Sequence, residues 1–354
     1  MLLFSFLPGC SDSQEGGDKG ANTIEFTDSC GRTVTLPEDI TRVAPSGSVA
    51  TLIMATIAPE YLISVSSSPS SSQYKYLPKE LIELPTTGQL YGSKSNINLE
   101  TLLNAKPQVI IDLGDAKDTV AYDMSALQKQ TGIPTIFIEA DVTHMAEAYR
   151  TLGALLAGKS ERGEKLASFI DGTVTMAEEN AVKVKEGGGT SIMYATGTSG
   201  LNANAAGSLQ AQVIDLVGAE NAIVVDDVSS KNGGNTINME QLYLFNPDVI
   251  IFAPGSAFDA VANDPVWTQL SAVRNNAFYE IPGLPYNWMS NPPSVNMVLG
   301  IWWLGNLLYP DIYNYDMIQK AQEIYRLFWN YTLTDEEALE MLKNSTLKRA
   351  EEGV

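Results

Sequence analysis

Apolar and polar positions along the chain switch repeatedly between a period of two and a period near 3.6, the mark of strands alternating with helices. Thr23–Phe26 and Thr33–Leu36 come first and predict a small hairpin turning at Asp28–Gly31. Short β-branched or apolar runs follow at Arg42–Ala44, Leu62–Val65, Val109–Leu113 and Thr135–Ile138, separated by helical stretches at Val49–Ile57, Leu99–Asn104 and Asp118–Gln130. That order predicts a parallel sheet covered on both faces. From Met145 to Ala157 the pattern is helical, and after Gly158-Lys159-Ser160 it resumes from Glu161 to Val184. A helix of about 24 residues is about 36 Å long, enough to run from one lobe to another.

The alternation then restarts. Strands are predicted at Ser191–Ala195, Ala222–Val225, Val249–Ala253 and Ala277–Ile281, with helices at Leu209–Val217, Met239–Phe245 and Pro265–Leu270. Val295–Tyr309 is apolar all round but interrupted by Asn296, Gly300, Gly305 and Asn306, so it reads as a buried helix and not as a membrane span. Asp316–Trp329 and Asp335–Lys343 close the chain as helices, the latter with a capping-box signal from Thr334 to Glu337.

The two halves carry an internal repeat. Ile97-Asn98-Leu99-Glu100, Leu102, Pro107 and Val109-Ile110-Ile111 recur at the same spacing as Ile237-Asn238-Met239-Glu240, Leu242, Pro247 and Val249-Ile250-Ile251. A polar opening, a short helix, a proline stop and a β-branched run describe a helix feeding a buried parallel strand. The predicted fold is α/β, with two lobes each built on a central parallel sheet flanked by helices and joined by a single long linker helix. The predicted division is 1–22 signal remnant and tether, 23–159 first lobe, 160–186 linker helix and 187–354 second lobe with the closing helices.

Composition narrows the function. The chain has 354 residues, 44% hydrophobic and 18% charged, which suits two folded lobes. Its net charge of −20 argues against nucleic acid or an anionic membrane surface as the main partner. Cys10 and Cys30 are the only cysteines and lack metal-ligand spacing, and Cys30 is expected to be a small apolar filler. His144, the single histidine, excludes sites built on paired histidines and is expected on the surface in the first turn of a helix. No Walker A sequence, dinucleotide fingerprint, nucleophile elbow or His-Glu-x-x-His occurs. These features point away from an enzyme and predict no resident metal or cofactor.

Leu7, Gly9 and Cys10 after the apolar stretch Leu2–Phe6 resemble a bacterial lipobox, with Cys10 as the residue to be lipidated and 11–22 as a polar tether. Pro8 and the lack of a preceding basic residue depart from that pattern; a true start upstream of Met1 would explain the second departure.

Gly31-Arg32-Thr33-Val34-Thr35-Leu36-Pro37 followed by Arg42-Val43-Ala44 is similar to the opening segment of solute-binding proteins of iron-complex and cobalamin ABC importers. Asn98-Leu99-Glu100 before Lys106-Pro107-Gln108-Val109-Ile110 resembles the same family, as does Trp267 with Leu270-Ser271-Ala272-Val273-Arg274-Asn275. Tyr286-Asn287-Trp288 with Pro292-Pro293-Ser294 resembles a subgroup of iron-complex binders near molybdate and tungstate binders. The resemblance implies an extracytoplasmic, lipid-anchored monomer that closes two lobes over a ligand and delivers it to an ABC permease dimer with its ATPase. It implies further that Glu100 and Glu240 reach arginines on the two permease subunits; each is equally a helix-start glutamate favoured by the macrodipole.

In parallel sheets, ligands bind beyond the carboxyl ends of the strands. The expected ligand residues are therefore Ser46, Gly47, Ser68, Tyr91, Gly92 and Asp115 in the first lobe and Thr198, Asn202, Ser256, Tyr286, Asn287, Trp288 and Ser290 in the second. Tyr286 and Trp288 could cover an apolar face of a chelate, or only brace their loop. The near absence of Arg, Lys and His from these loops points to a neutral or weakly charged metal complex, an iron chelate first, or to a small oxyanion held by backbone N–H groups and hydroxyls. Molybdate or tungstate, cobalamin and haem stay open as ligands. A surface sensor or a metallo-enzyme of similar fold is the competing class, and a single linker helix predicts limited lobe closure.

Overall fold

The computed structural model describes residues 22–90, 95–229 and 233–345. The chain opens on an antiparallel hairpin, β1 (Thr23–Thr27) and β2 (Thr33–Pro37). Its turn is organised by the buried Asp28, whose Oδ1 accepts the backbone N–H groups of Cys30 and Arg32 and whose Oδ2 takes Arg32 Nη1 at 3.1 Å. Cys30 donates its thiol to Asp28 Oδ1 at 3.1 Å while packing beside Val120, Met124 and Phe137, so its role as small filler comes with a hydrogen bond.

The first lobe follows as β3 (Val43–Pro45), α1 (Ser48–Ile57), α2 (Leu99–Ala105), β4 (Val109–Gly114), α3 (Val120–Thr131), β5 (Thr135–Glu139) and α4 (Met145–Leu155). Its sheet is parallel in the order β3-β4-β5. β4 is buried on both faces along nearly its whole length, as its unbroken apolar run requires. Leu62–Val65, expected as a fourth strand, forms only isolated bridges, Val43 with Leu62 and Val65 with Thr86. The run changes partner midway: Ile63 donates its N–H to Val43 O, and two residues on Val65 pairs with Pro85 and Thr87.

The linker α5 spans Ser160–Glu186, roughly 40 Å at 1.5 Å per residue. Where it crosses α4 the contact is glycine on glycine: a Cβ on Gly163 would lie 2.5 Å from Tyr149 O and 2.8 Å from Gly153 Cα. Close approach of the two helix backbones therefore depends on the absence of a side chain at 163.

The second lobe comprises β6 (Ser191–Thr196), β7 (Asn202–Ala203), α6 (Gln212–Leu216), β8 (Glu220–Asn221), β9 (Asn235–Thr236), α7 (Met239–Phe245), β10 (Val249–Phe252), α8 (Phe258–Val261), α9 (Ser271–Arg274) and β11 (Phe278–Glu280). β11-β10-β6 run parallel with β8 on β6, and β7 and β9 add an antiparallel edge. The strand expected at Ala222–Val225 stops at Asn221, whose side chain accepts the N–H of Ile223 and turns the chain away. The helix expected at Pro265–Leu270 is reduced to one tight turn at Trp267–Gln269.

α10 (Asn296–Leu308), α11 (Met317–Trp329) and α12 (Asp335–Leu342) complete the chain. A Cβ on Gly300 of α10 would sit 2.4 Å from Trp288 O, so the loop 287–289 rests directly on helix backbone there. The closing helices also reach the first lobe. Tyr76 packs edge-on against Tyr325 and Tyr331, Lys75 pairs with Glu337, and Gln73 Nε2 donates to Pro285 O at 2.7 Å. One apolar core runs from β2 and α1 through α5 into α10 and α11.

The internal repeat has a matching local structure. Asn98 Oδ1 caps α2 by accepting Thr101 N, and Asn238 caps α7 in a full capping box with Gln241. Both helices end in a left-handed residue, Lys106 at φ 49° and Asn246 at φ 38°, and each then feeds its strand through a proline.

Candidate ligand cleft and docking helices

Because both sheets are essentially parallel, the loops leaving their carboxyl ends face a common space. On the first-lobe side a 90 Å³ cavity is lined by Ser46 and Gly47, the first turn of α1, Gln89, and the chain leaving β4 and β5. Ser46 donates its hydroxyl to Asp112 Oδ1, tying the exit of β3 to β4. Gly47 N-caps α1 without a side-chain hydrogen bond, leaving the first-turn N–H groups at the cavity wall as potential donors. Asp115 pairs with Lys117 at 3.6 Å, and Asp141 also reaches this wall.

On the second-lobe side a 350 Å³ cavity is lined by the exits of β6 and β10 and by the segment 287–293. Pro293 lines both cavities, which makes them two sides of one cleft. The second wall is hydroxyl and amide in character. Tyr194 is fully buried, its hydroxyl 3.2 Å from Ser290 Oγ, and burial pushes that phenol up to about 12. Asn287 Oδ1 accepts Met289 N and Ser290 N, which fixes the loop. Asn204, 2% exposed, and Ser256 also line this wall, and Asn204 Oδ1 and Ser256 Oγ are buried without a hydrogen-bond partner among the described residues. Buried acceptors left unsatisfied cost roughly 1–3 kcal/mol each, and a bound ligand or water offering donors would recover it.

Of the residues expected from sequence, Ser46, Gly47, Asp115, Thr198, Ser256, Asn287 and Ser290 line the two walls. Trp288 does not. Its ring is fully buried in the main core and its indole N–H donates to Leu284 O at 3.0 Å, so the aromatic expected over the ligand braces its loop instead. Tyr286 likewise packs on the main core and lines neither cavity, and its burial pushes the hydroxyl up to about 12. Ser68 is engaged with Thr86 at 3.0 Å, and Asn202 sits in β7 as a pairing partner of β6, with neither on a cavity wall. Tyr91, Gly92 and Cys10 lie outside the described residues. Sequence reasoning missed Gln89, Asp112, Tyr194, Asn204 and Pro293. Tyr194 was legible only as a strand residue, and the Asn291-Pro292-Pro293 turn, between a strand exit and α10, was the one local signal available.

Among the described residues, Glu139, Asp141 and His144 bring donor atoms within 4.8 Å of one another and form a group that could hold a metal ion. Asp141 Oδ1 already accepts Thr143 N, Thr143 Oγ1 and His144 N, which commits it to the start of α4. His144 is surface-exposed there, with Nδ1 2.9 Å from Asp141 Oδ2. Glu100 and Glu240 stand exposed in the first turns of α2 and α7.

A two-lobed α/β clamp whose cleft has hydroxyls and amides on one wall, and helix N–H groups and carboxylates on the other, is the architecture of a solute-binding protein. The chain belongs to the periplasmic binding protein family, whose sequence pattern matches residues 44–284. It is similar to a solved ABC transporter solute-binding protein from Sulfurospirillum deleyianum, with 29% identity, a TM-score of 0.81, and coverage of 90% of this chain and 99% of that one. A relative in Staphylococcus aureus, the high-affinity heme uptake system protein IsdE, is 25% identical over 62% of this chain and 74% of its own length. The molybdate-bound MolA of Haemophilus influenzae shares the fold at a TM-score of 0.67 and 18% identity, covering 88% of this chain and 99% of that one. These proteins are binding components of importers and not enzymes. No helix among the described residues is long and apolar enough to cross a membrane.

Proposed function

We propose that this protein captures a small metal complex, an iron chelate first, in the cleft between its lobes outside the cytoplasm and hands it to an ABC permease dimer driven by its ATPase. The observation that carries the reading is the facing pair of walls joined at Pro293, one offering α1 N–H groups and Ser46, the other Asn204, Ser256 and Ser290. Such a surface suits oxygen-rich, hydrogen-bonding ligands. In this reading Thr198, Asn287 and Asp115 also face the ligand, Glu100 and Glu240 dock to the permease, and Cys10 carries the lipid. The division at 23–159, 160–186 and 187–354 makes each lobe one jaw.

Haem is the second reading, favoured by the named role of the Staphylococcus relative. Tyr194 places a phenol in the second wall, the ligand type some haem sites use. Native mass spectrometry of protein purified from its source tests both. A bound mass with an iron isotope pattern is expected, a Soret band in the same sample would select haem, and a bound iron-free organic solute would overturn the metal-complex reading.

A further inference from the structure

One groove on this acidic chain is basic. The net charge of the chain is −20, yet a cavity of about 610 Å³ between α5 and α11 is lined by Arg162, Lys165 and Arg326, with Glu323 as the carboxylate on its wall. None of these residues lines the ligand cleft. Helix periodicity builds the groove. Arg162, Lys165 and Phe169 stand three and four positions apart on α5, and Gln319, Gln322, Glu323 and Arg326 do the same on α11, so each set shares one helix face.

The cations are not balanced from within. Glu323 is already engaged by Lys320, whose Nζ lies 2.5 Å from its Oε2. Lys165 and Arg326 are exposed and make no hydrogen bond or ion pair among the described residues. Arg162 is half-buried, and its Nε and Nη2 go to backbone carbonyls: Thr56 O at 3.1 and 2.7 Å, Leu327 O at 2.6 Å and Phe328 O at 3.4 Å. Its Nη1 has no partner among the described residues. Burial pushes this guanidinium below its ordinary value, and Tyr149 and Glu60, the latter held by Lys159, offset only part of the effect. Three positive charges on one concave wall repel one another, and a bound anion would relieve all three.

We infer that this groove binds an oxyanion of the phosphate class, with Arg162 Nη1, Lys165 and Arg326 as its charged donors and the amides of Gln319 and Asn330 as neutral ones. A carboxylate offers two oxygens to three cations, whereas a phosphoryl group offers at least three acceptor oxygens and a second negative charge. Guanidinium forks match phosphate oxygens, and lysine adds a point charge. The site lies where Arg162 ties the carbonyls of α1 in the first lobe to those of α11, so an anion held there joins the linker helix to the closing helices.

The test titrates inorganic phosphate into the full chain, prepared without phosphate, by isothermal calorimetry at low ionic strength. Saturable binding is expected, weakened at least about 10-fold in Lys165→Gln/Arg326→Gln and by 0.3 M sodium chloride. Lys165→Arg/Arg326→Lys, which keeps both charges, should retain most of the affinity. Urea unfolding without phosphate verifies that both variants are folded. Glycerol phosphate in the same experiment separates the sources of the group: affinity equal to or above that of inorganic phosphate supports an esterified phosphate of a larger molecule, and 10-fold weaker binding supports the free ion. Absence of saturable binding of either compound to wild type, or wild-type affinity in the folded glutamine variant, would overturn the site and leave the reading of the cleft untouched.

Discussion

Trp288 donates its indole N–H to the carbonyl of Leu284 at 3.0 Å, and the hydroxyl of Tyr325 donates to the same carbonyl. The loop that supplies Asn287 and Ser290 to the cleft is therefore pinned from behind by a fully buried ring and by a closing helix that also packs on Tyr76 of the first lobe. Removing the ring leaves a large cavity in a core that cannot collapse onto α10, where Gly300 already touches Trp288 O. Trp288→Ala should destabilise the protein by about 3–5 kcal/mol, measured by urea unfolding. Trp288→Phe should be milder and leave ligand affinity nearly unchanged; a large loss of affinity in folded Trp288→Phe would return the residue to the ligand face.

The helix caps give a smaller and paired effect. Asn98 and Asn238 each satisfy a first-turn N–H that would otherwise lack a partner. Asn98→Ala and Asn238→Ala should each cost about 1 kcal/mol, and because the sites lie in different lobes the double variant should lose close to the sum. Thermal or urea unfolding of the three variants reads this directly.

The starts of these two helices were legible in the sequence because the repeat kept a polar Asn and Glu ahead of each apolar run, but that the asparagines cap them came from the structure. The parallel strands were legible for the opposite reason, since Val109-Ile110-Ile111 and Val249-Ile250-Ile251 are apolar on both faces. The cleft was only half legible. Loop residues such as Ser46 and Ser290 follow from strand ends, but Tyr194 and Asn204 reach the cleft from a strand and from just beyond β7, and no local pattern distinguishes them from core or turn residues. Trp288 was misplaced because an aromatic between prolines looks the same from either side of its loop; only the closing helices decide which side is core.

His144 provides a pH signature. Its hydrogen bond to Asp141, aided by Glu139 nearby, holds the imidazole above its ordinary value of 6.5. Burial pushes Asp141 up, yet the hydrogen bonds from Thr143 and His144 outweigh it and hold the carboxyl below 3.8. A histidine whose folded value is raised contributes stability that is fully present below 6.5 and lost as pH rises through the folded value. The lowered carboxyl contributes above 3.8 and loses its share as pH falls through its own folded value. Because the chain has one histidine, an NMR titration is unambiguous: the midpoint should lie above 6.5, and Asp141→Asn should bring it back toward that value. A wild-type midpoint at or below 6.5 would show that the pair does not form in solution.

Glu100 and Glu240 should matter for delivery and not for capture. Both are exposed, both begin helices capped by asparagine, and neither lines a cleft wall. Placing lysine at a first-turn position loses the favourable helix-dipole interaction and costs only roughly 0.3–1 kcal/mol each, so the fold should survive the double reversal. On the proposed docking role, opposite charges at the contact would become like charges, and a rim charge acts mainly on the rate of encounter. Glu100→Lys/Glu240→Lys should therefore retain ligand and unfold nearly as wild type does, while association with the importer slows and uptake into vesicles falls sharply. The single reversals should be intermediate, each weakening one of two contacts. The slowing should shrink as salt is raised, because screening weakens the repulsion that causes it. Normal uptake by the double variant, or loss of ligand by either single one, would return both glutamates to the role of helix-start residues.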